Sequence, residues 1–266
     1  TVANLHTALS EAIAIVQAIG RGVVYIPPGT PKLGGTVQID QTPSKYLIIR
    51  GAGLGLTLIS KSSTSGTWFN IGTEGGARTF NVWFEHFDCI APSMSGGSFF
   101  NWHNVSDCGR RHVKAHQPIQ CDLVGSDAPT AINSAIYLTF DDCPISPDSN
   151  GFPMIQLGSC SVIQLYARRR YNGNGTGTLI DHANSTYNCD GLYVFKLFGE
   201  EWDYYVRSRG KGIVNLQWEG GQCDRTITAF DSNPTASGLN ENWSIQGVDF
   251  INFNSLWSNN IAKKRH

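Results

Sequence analysis

Two short segments carry the densest set of groups able to act on a sugar. Gly199-Glu200-Glu201-Trp202-Asp203 and Gln217-Trp218-Glu219-Gly220 each set carboxylates beside a tryptophan. Glu200 and Glu219 lie 19 residues apart. If the chain closes one turn at that step, both stand on one face of neighbouring strands, about 4.8 Å apart. Two carboxyls ~5–5.5 Å apart suit retaining glycoside hydrolysis, and a pair ~6.5–9.5 Å apart suits inversion through an activated water. Glu200 and Glu219 are therefore the candidate acid and nucleophile (or base), with Asp203 as the alternate carboxylate. Trp202 and Trp218 are candidate sugar platforms, because an aromatic face packs on the apolar side of a pyranose ring. Arg168-Arg169-Arg170 is the densest positive run. On a strand, Arg168 and Arg170 point to one side. They are candidate contacts to an acidic polysaccharide, to carboxylates on a neighbouring turn or to a sister chain.

Other constellations fit chemistry less well. Cys108, His112, His116 and Cys121 have zinc-ligand residue types, but their spacing matches no common finger or ribbon. Asp122, Asp127, Asp141, Asp142 and Asp148 are rich in oxygen, yet they match no calcium-loop spacing. Gly51, Gly53 and Gly55 precede a strand rather than the helix that a phosphate loop needs. No metal and no cofactor are expected.

The elements that must position these groups are short. Val2, Leu5, Leu9, Ala12, Ile13, Val16 and Ile19 recur at helical steps, and Gly20 is a stop signal. After it the period changes. Val23–Ile26, Thr36–Ile39, Tyr46–Ile49 and Thr57–Ile59 read as strands separated by Pro and Gly turns. An Asp-Cys step recurs at Cys89, Cys108 and Cys143, and the first two lie 19 residues apart. Self-similarity near 20 residues in short strands is the signature of a solenoid, in which stacked turns build one continuous core. The cysteines would then be small apolar fillers stacked inside the column.

The opening helix, Gly22-Val23-Val24-Tyr25-Ile26-Pro27-Pro28-Gly29-Thr30, Ile48-Ile49-Arg50-Gly51-Ala52-Gly53 and Thr57-Leu58-Ile59 together resemble the start of pectate-lyase-like right-handed parallel β-helix proteins. Pro31 stands where the usual family variant has an aromatic residue. The resemblance implies an all-β, right-handed parallel β-helix with an N-terminal capping helix. The expected layout is one domain over 1–266: capping helix 1–20, solenoid 21–258 and basic tail 259–266. Within that superfamily the chain looks most like bacteriophage tailspike and tail-fibre proteins. Homotrimers, phage tail or baseplate partners and assembly in the host cytoplasm follow as implications.

Composition agrees with a turn-rich β chain. Charged residues are 15% against about 25% in average domains, and glycine is 29 of 266. Ser, Thr and Asn number 60. The net charge of −1 and pI near 6.6 exclude a basic nucleic-acid binder. No apolar run approaches the ~18 residues of a spanning helix, so no membrane insertion is expected. No leader is legible in the first residues, and the chain reads as a fragment or processed form. The expected function is recognition of a bacterial surface polysaccharide, capsule or lipopolysaccharide, by a virion protein, with hydrolytic depolymerisation as its candidate chemistry. The competing classes are a non-catalytic virion adhesin and a secreted polysaccharide lyase or hydrolase.

Overall fold

A computed structural model describes residues 4–61, 65–91, 95–118, 120–125, 135–146, 153–167, 170–172, 177–184, 186–234 and 242–258. One helix, α1 (Leu5–Ile19), precedes a succession of strands that pair only in parallel. The architecture is a parallel β-solenoid. Its first face stacks Arg21–Ile26, Tyr46–Gly51, Val82–Ile90, Val105–His116, Ala135–Asp141, Cys160–Tyr166, Leu192–Glu200, Asn215–Pro234 and Asn242–Ser258 in that order. Several of these strands bend and continue on a second face. A third face runs through Val37–Ile39, Phe69–Ile71, Phe100–Trp102, Asp122–Val124, Ile155–Leu157, Thr178–His182 and Tyr204–Gly210.

The helix covers one end of the column. Leu9 and Ile13 are buried against the first strands, and Leu5, Ala12 and Val16 pack beside them. The Asn4 side chain caps the helix by accepting from the His6 N–H and also accepts from the Gly34 N–H. Gly20 closes it at φ 102°, a left-handed conformation that favours glycine. Gln17 Nε2 donates to the Asp40 carbonyl, and the His6 ring meets the Thr36 carbonyl at 2.9 Å. The cap thus removes apolar surface from water and satisfies polar groups of the first turn.

The column turns corners with single residues at positive φ. One corner is formed by His86, His112, Asp142 and Lys196 (φ 59°, 50°, 51° and 52°), then by Gly220 and Gly247. A second is formed by Asn81, Asp107, Tyr137 and Val162, and a third by Glu201, Arg225 and Asn252. At such a position the side chain points outward and the strand changes direction.

The turn length differs from the ~20 residues expected from the sequence. Tyr193 lies opposite Gln217, a step of 24, and Gly109 opposite Thr139, a step of 30. The Asp-Cys sites are consequently not equivalent: Cys89 faces Ala115 and Cys108 faces Leu138. All seven cysteines are reduced and buried, as small core fillers should be. The backbones of Cys160 and Cys189 pair in parallel on neighbouring turns, and their thiols stay free.

Large aromatics fill the column. Phe69, Phe100 and Trp102 stack at 5.4 and 5.9 Å. Among them lies a sealed ion pair. Arg110 Nη2 donates to Asp122 Oδ2 at 2.5 Å, and Trp102 Nε1 donates to Asp122 Oδ1 at 2.9 Å. The Arg110 guanidinium sits 4.8 Å from the Phe100 and Phe140 ring centres. The cation meets two π faces and one carboxylate, so its charge is compensated without water.

Candidate functional site

The register decides which carboxylates meet. Glu200 lies opposite Asp224, not Glu219, because the two strands are offset by 24 residues. Glu219 lies opposite Phe195 and Gln246, on the first face, and accepts from Gln217 Nε2 at 2.5 Å. The structure therefore does not bring Glu200 and Glu219 together. Asp203 serves a turn: its Oδ2 accepts from the Gly177 N–H at 2.9 Å, and its carbonyl accepts from the Thr228 N–H and the Thr226 hydroxyl.

Neither tryptophan is a sugar platform. Trp202 and Trp218 are 1% and 0% exposed. Trp202 Nε1 donates to the Tyr171 carbonyl, and Trp218 packs edge-on to Tyr205 and Phe230. Trp218 alternates with the outward Glu219, and the corner at Glu201 shifts the alternation so that Trp202 also faces the core. The aromatic beside the carboxylates is Phe198, 43% exposed. Arg168 lies outside the described residues. The backbone of Arg170 pairs with Phe198, which puts that position on the same face.

Phe198, Gly199, Glu200, Gln222 and Asp224 line a small, shallow depression open to solvent. Arg225 rises from the third corner beside it. It contacts Glu200 through Nη2, reaches Glu201 Oε1 at 2.5 Å and lies 3.9 Å from Asp224 Oδ2. Asn252 Nδ2, from the next turn, donates to Asp224 Oδ1 at 3.1 Å. Behind the depression, the Tyr205 hydroxyl accepts from the Asp224 N–H and donates to the Asp224 carbonyl, both at 3.0 Å. Burial pushes the Tyr205 phenol far above its usual value, so it stays a neutral donor. Gly199 makes room for this ring: a Cβ there would lie 2.1 Å from Tyr205 Cε1. These contacts fix Asp224 and leave a carboxylate pair, a guanidinium, an amide and an aromatic face at one place. That set can hydrogen-bond sugar hydroxyls and stack on a ring.

Around the first corner, Tyr166 and Phe195 stack outward at 4.8 Å and 11°, with Lys196 exposed beside them. This aromatic pair was not singled out from sequence. Its two members are separated by 29 residues, a step no local motif displays.

The residues of zinc-ligand type, set aside for their spacing, separate in space as well. Cys108 is buried, with its thiol on the Ser106 carbonyl, and Cys121 is buried in the core. His112 and His116 are half-exposed, and His112 meets His86 instead. Asp122 is sealed in its pair with Arg110, whereas Asp142 stands at a corner. Asp127 and Asp148 lie outside the described residues. No group of three or more His, Cys, Asp or Glu suited to a metal occurs among the described residues. No helix among them is long and apolar enough to cross a membrane.

No protein-family model matches the chain, and no curated protein matches its sequence. Solved structures do match its shape. The A-module of the Azotobacter vinelandii mannuronan C-5 epimerase AlgE6 aligns at TM-score 0.55 and 14% identity, over 96% of this chain and 76% of that one. PfbA, a surface adhesin of Streptococcus pneumoniae, aligns at TM-score 0.52 and 12% identity, over 94% and 77%. ORF18 of Geobacillus virus E2 aligns over 96% and 57% at 14% identity, but its TM-score of 0.40 is too low to carry an argument. The likeness establishes the β-helix fold expected from the opening residues.

Proposed function

We propose that this protein binds a bacterial surface polysaccharide at the depression formed by Phe198, Glu200, Gln222 and Asp224. The observation that carries the reading is the register of Glu200 on Asp224, beside an exposed phenylalanine. Structural neighbours named as a mannuronan epimerase and a surface adhesin fit this class of role. The finer reading is a right-handed, homotrimeric tailspike or tail-fibre protein of a virion. Right-handed coiling is the sense taken by nearly all parallel crossovers. A lateral interface between sister chains would account for the low share of charged residues.

The chemistry of the pair has two readings. In a hydrolytic reading, Glu200 and Asp224, opposite one another on neighbouring strands, would take the acid and nucleophile (or base) roles that the sequence suggests for Glu200 and Glu219, with Asp203 as the alternate. A hydrolytic acid must carry a proton, whereas the Arg225 guanidinium favours ionised carboxylates. Arg225 therefore favours recognition without cleavage, and hydrolysis requires its displacement from Glu200 by substrate. Incubation with capsular polysaccharides and lipopolysaccharides separates the cases. New reducing ends without absorbance near 235 nm mean hydrolysis, and both signals mean a lyase. Retained binding with neither signal means an adhesin, and absence of binding to any of them overturns the proposal.

A further inference from the structure

The first corner carries a second constellation, independent of the polysaccharide reading. His86 and His112 occupy the corner on successive turns, flanked by the paired residues Glu85 and Arg111 on one side and Phe87 and Val113 on the other. Both are held at positive φ, which aims their rings outward in parallel. The rings stack at 4.9 Å and 26°, and their Nδ1 atoms are 3.3 Å apart. On the next turn Asp142 Oδ2 lies 3.8 Å from His112 Nε2.

We propose that His86 and His112 form a two-histidine site for a borderline divalent transition metal of the zinc, nickel or copper class. Two observations lead there. The Nδ1 separation matches the bite of such an ion: with metal–nitrogen bonds of about 2.05 Å, 3.3 Å subtends about 107°, close to the tetrahedral angle. The Asp142 carboxylate, 3.8 Å from His112 Nε2 and so beyond hydrogen-bond distance, favours by its charge the tautomer with the proton on Nε2, which leaves Nδ1 as a lone pair. The charged groups around the pair are Glu85, Arg50, Arg111 and Asp142. Glu85 is engaged by Arg50 at 2.6 Å and by Arg111 at 3.5 Å, so it is not the third ligand. Water fills the remaining positions, which makes the site exchangeable and selective for imidazole-seeking metals over calcium.

The test is titration of the chelator-treated whole chain with zinc or nickel chloride in a calorimeter, with calcium chloride as control. His86→Asn and His112→Asn remove the ligands while keeping a residue type that tolerates positive φ. The expected result is saturable 1:1 zinc or nickel binding, weakened at least about tenfold by either substitution and about tenfold by Asp142→Asn. Affinity should also fall when the pH drops from about 7.5 to about 5.5, across the ordinary imidazole value. Circular dichroism verifies the fold of each variant. No saturable binding at millimolar metal, undiminished binding in the double His86→Asn/His112→Asn variant, or equal binding of calcium would overturn the proposal.

Discussion

Two clusters in this molecule are built from the same parts, a guanidinium and carboxylates brought together by the winding of the chain. Inside the column, Arg110 and Asp122 are 1% and 0% exposed, between two phenylalanine rings and a tryptophan N–H. On the third corner, Arg225 is 50% exposed and faces Glu200, Glu201 and Asp224. In the first cluster the cation and the carboxylate are paired with each other and sealed from solvent, and two guanidinium nitrogens of Arg110 face the rings rather than a hydrogen-bond acceptor. The second has more negative than positive charge and opens to solvent beside Phe198. An identical chemical vocabulary thus makes a structural element in one place and a candidate binding surface in the other. The difference is set by whether a residue alternates inward or outward on its strand.

The comparison breaks most visibly at the inner cluster. Asp122→Asn leaves Arg110 charged and uncompensated in the core, and should cost about 3–5 kcal/mol of stability by denaturant unfolding. Replacing both partners by apolar residues should recover most of that loss. Charge removal at Arg225→Gln should cost under about 1 kcal/mol, as for other exposed pairs. Equal losses at the two sites would dissolve the distinction.

Gly199→Ala probes the wall between inside and outside. Its Cβ would drive into Tyr205, which holds Asp224 from behind. Overpacking of about 1–3 kcal/mol is expected, together with weaker polysaccharide binding. Phe198→Ala should instead lower polysaccharide affinity several-fold with a much smaller fall in melting temperature than a core truncation, since the residue is 43% exposed. A large fall in melting temperature would show that Phe198 belongs to the core.

The smallest effect concerns the corner histidines. His86 has a lowered pKa in the folded chain, so the unfolded chain takes up the proton first as pH falls. Its contribution to stability is present above about pH 6.5 and is lost on acidification through the lower folded value. The melting temperature should fall slightly more steeply below pH 6.5 in the wild type than in His86→Asn.

The fold was largely legible because its signals are local. The amphipathic stripe ending at Gly20, and the strand-turn alternation that follows, fix a capped solenoid. The site was only half legible for the opposite reason. Glu200 is legible as an outward carboxylate, but its partner depends on turn length, and turns here vary between 22 and 35 residues. A fixed 19-residue step selects Glu219; the actual step selects Asp224. Trp218, next to an outward Glu219, falls in the core by strand alternation alone, whereas Trp202 lies two positions from Glu200 and turns inward only because the corner at Glu201 intervenes. His112 was noticed for zinc with Cys108 and His116, its neighbours in sequence. Its neighbour in space is His86, one turn away.

The account rests on Glu200 and Asp224 acting as a unit at the polysaccharide surface. The direct test is equilibrium binding to an array of bacterial capsular polysaccharides and lipopolysaccharides. The Glu200→Gln/Asp224→Asn double variant is compared with Glu219→Gln. The account predicts that the double variant loses at least about tenfold in affinity, roughly 1.4 kcal/mol, while Glu219→Gln binds like the wild type. Loss of binding in Glu219→Gln with an unaffected double variant would contradict it.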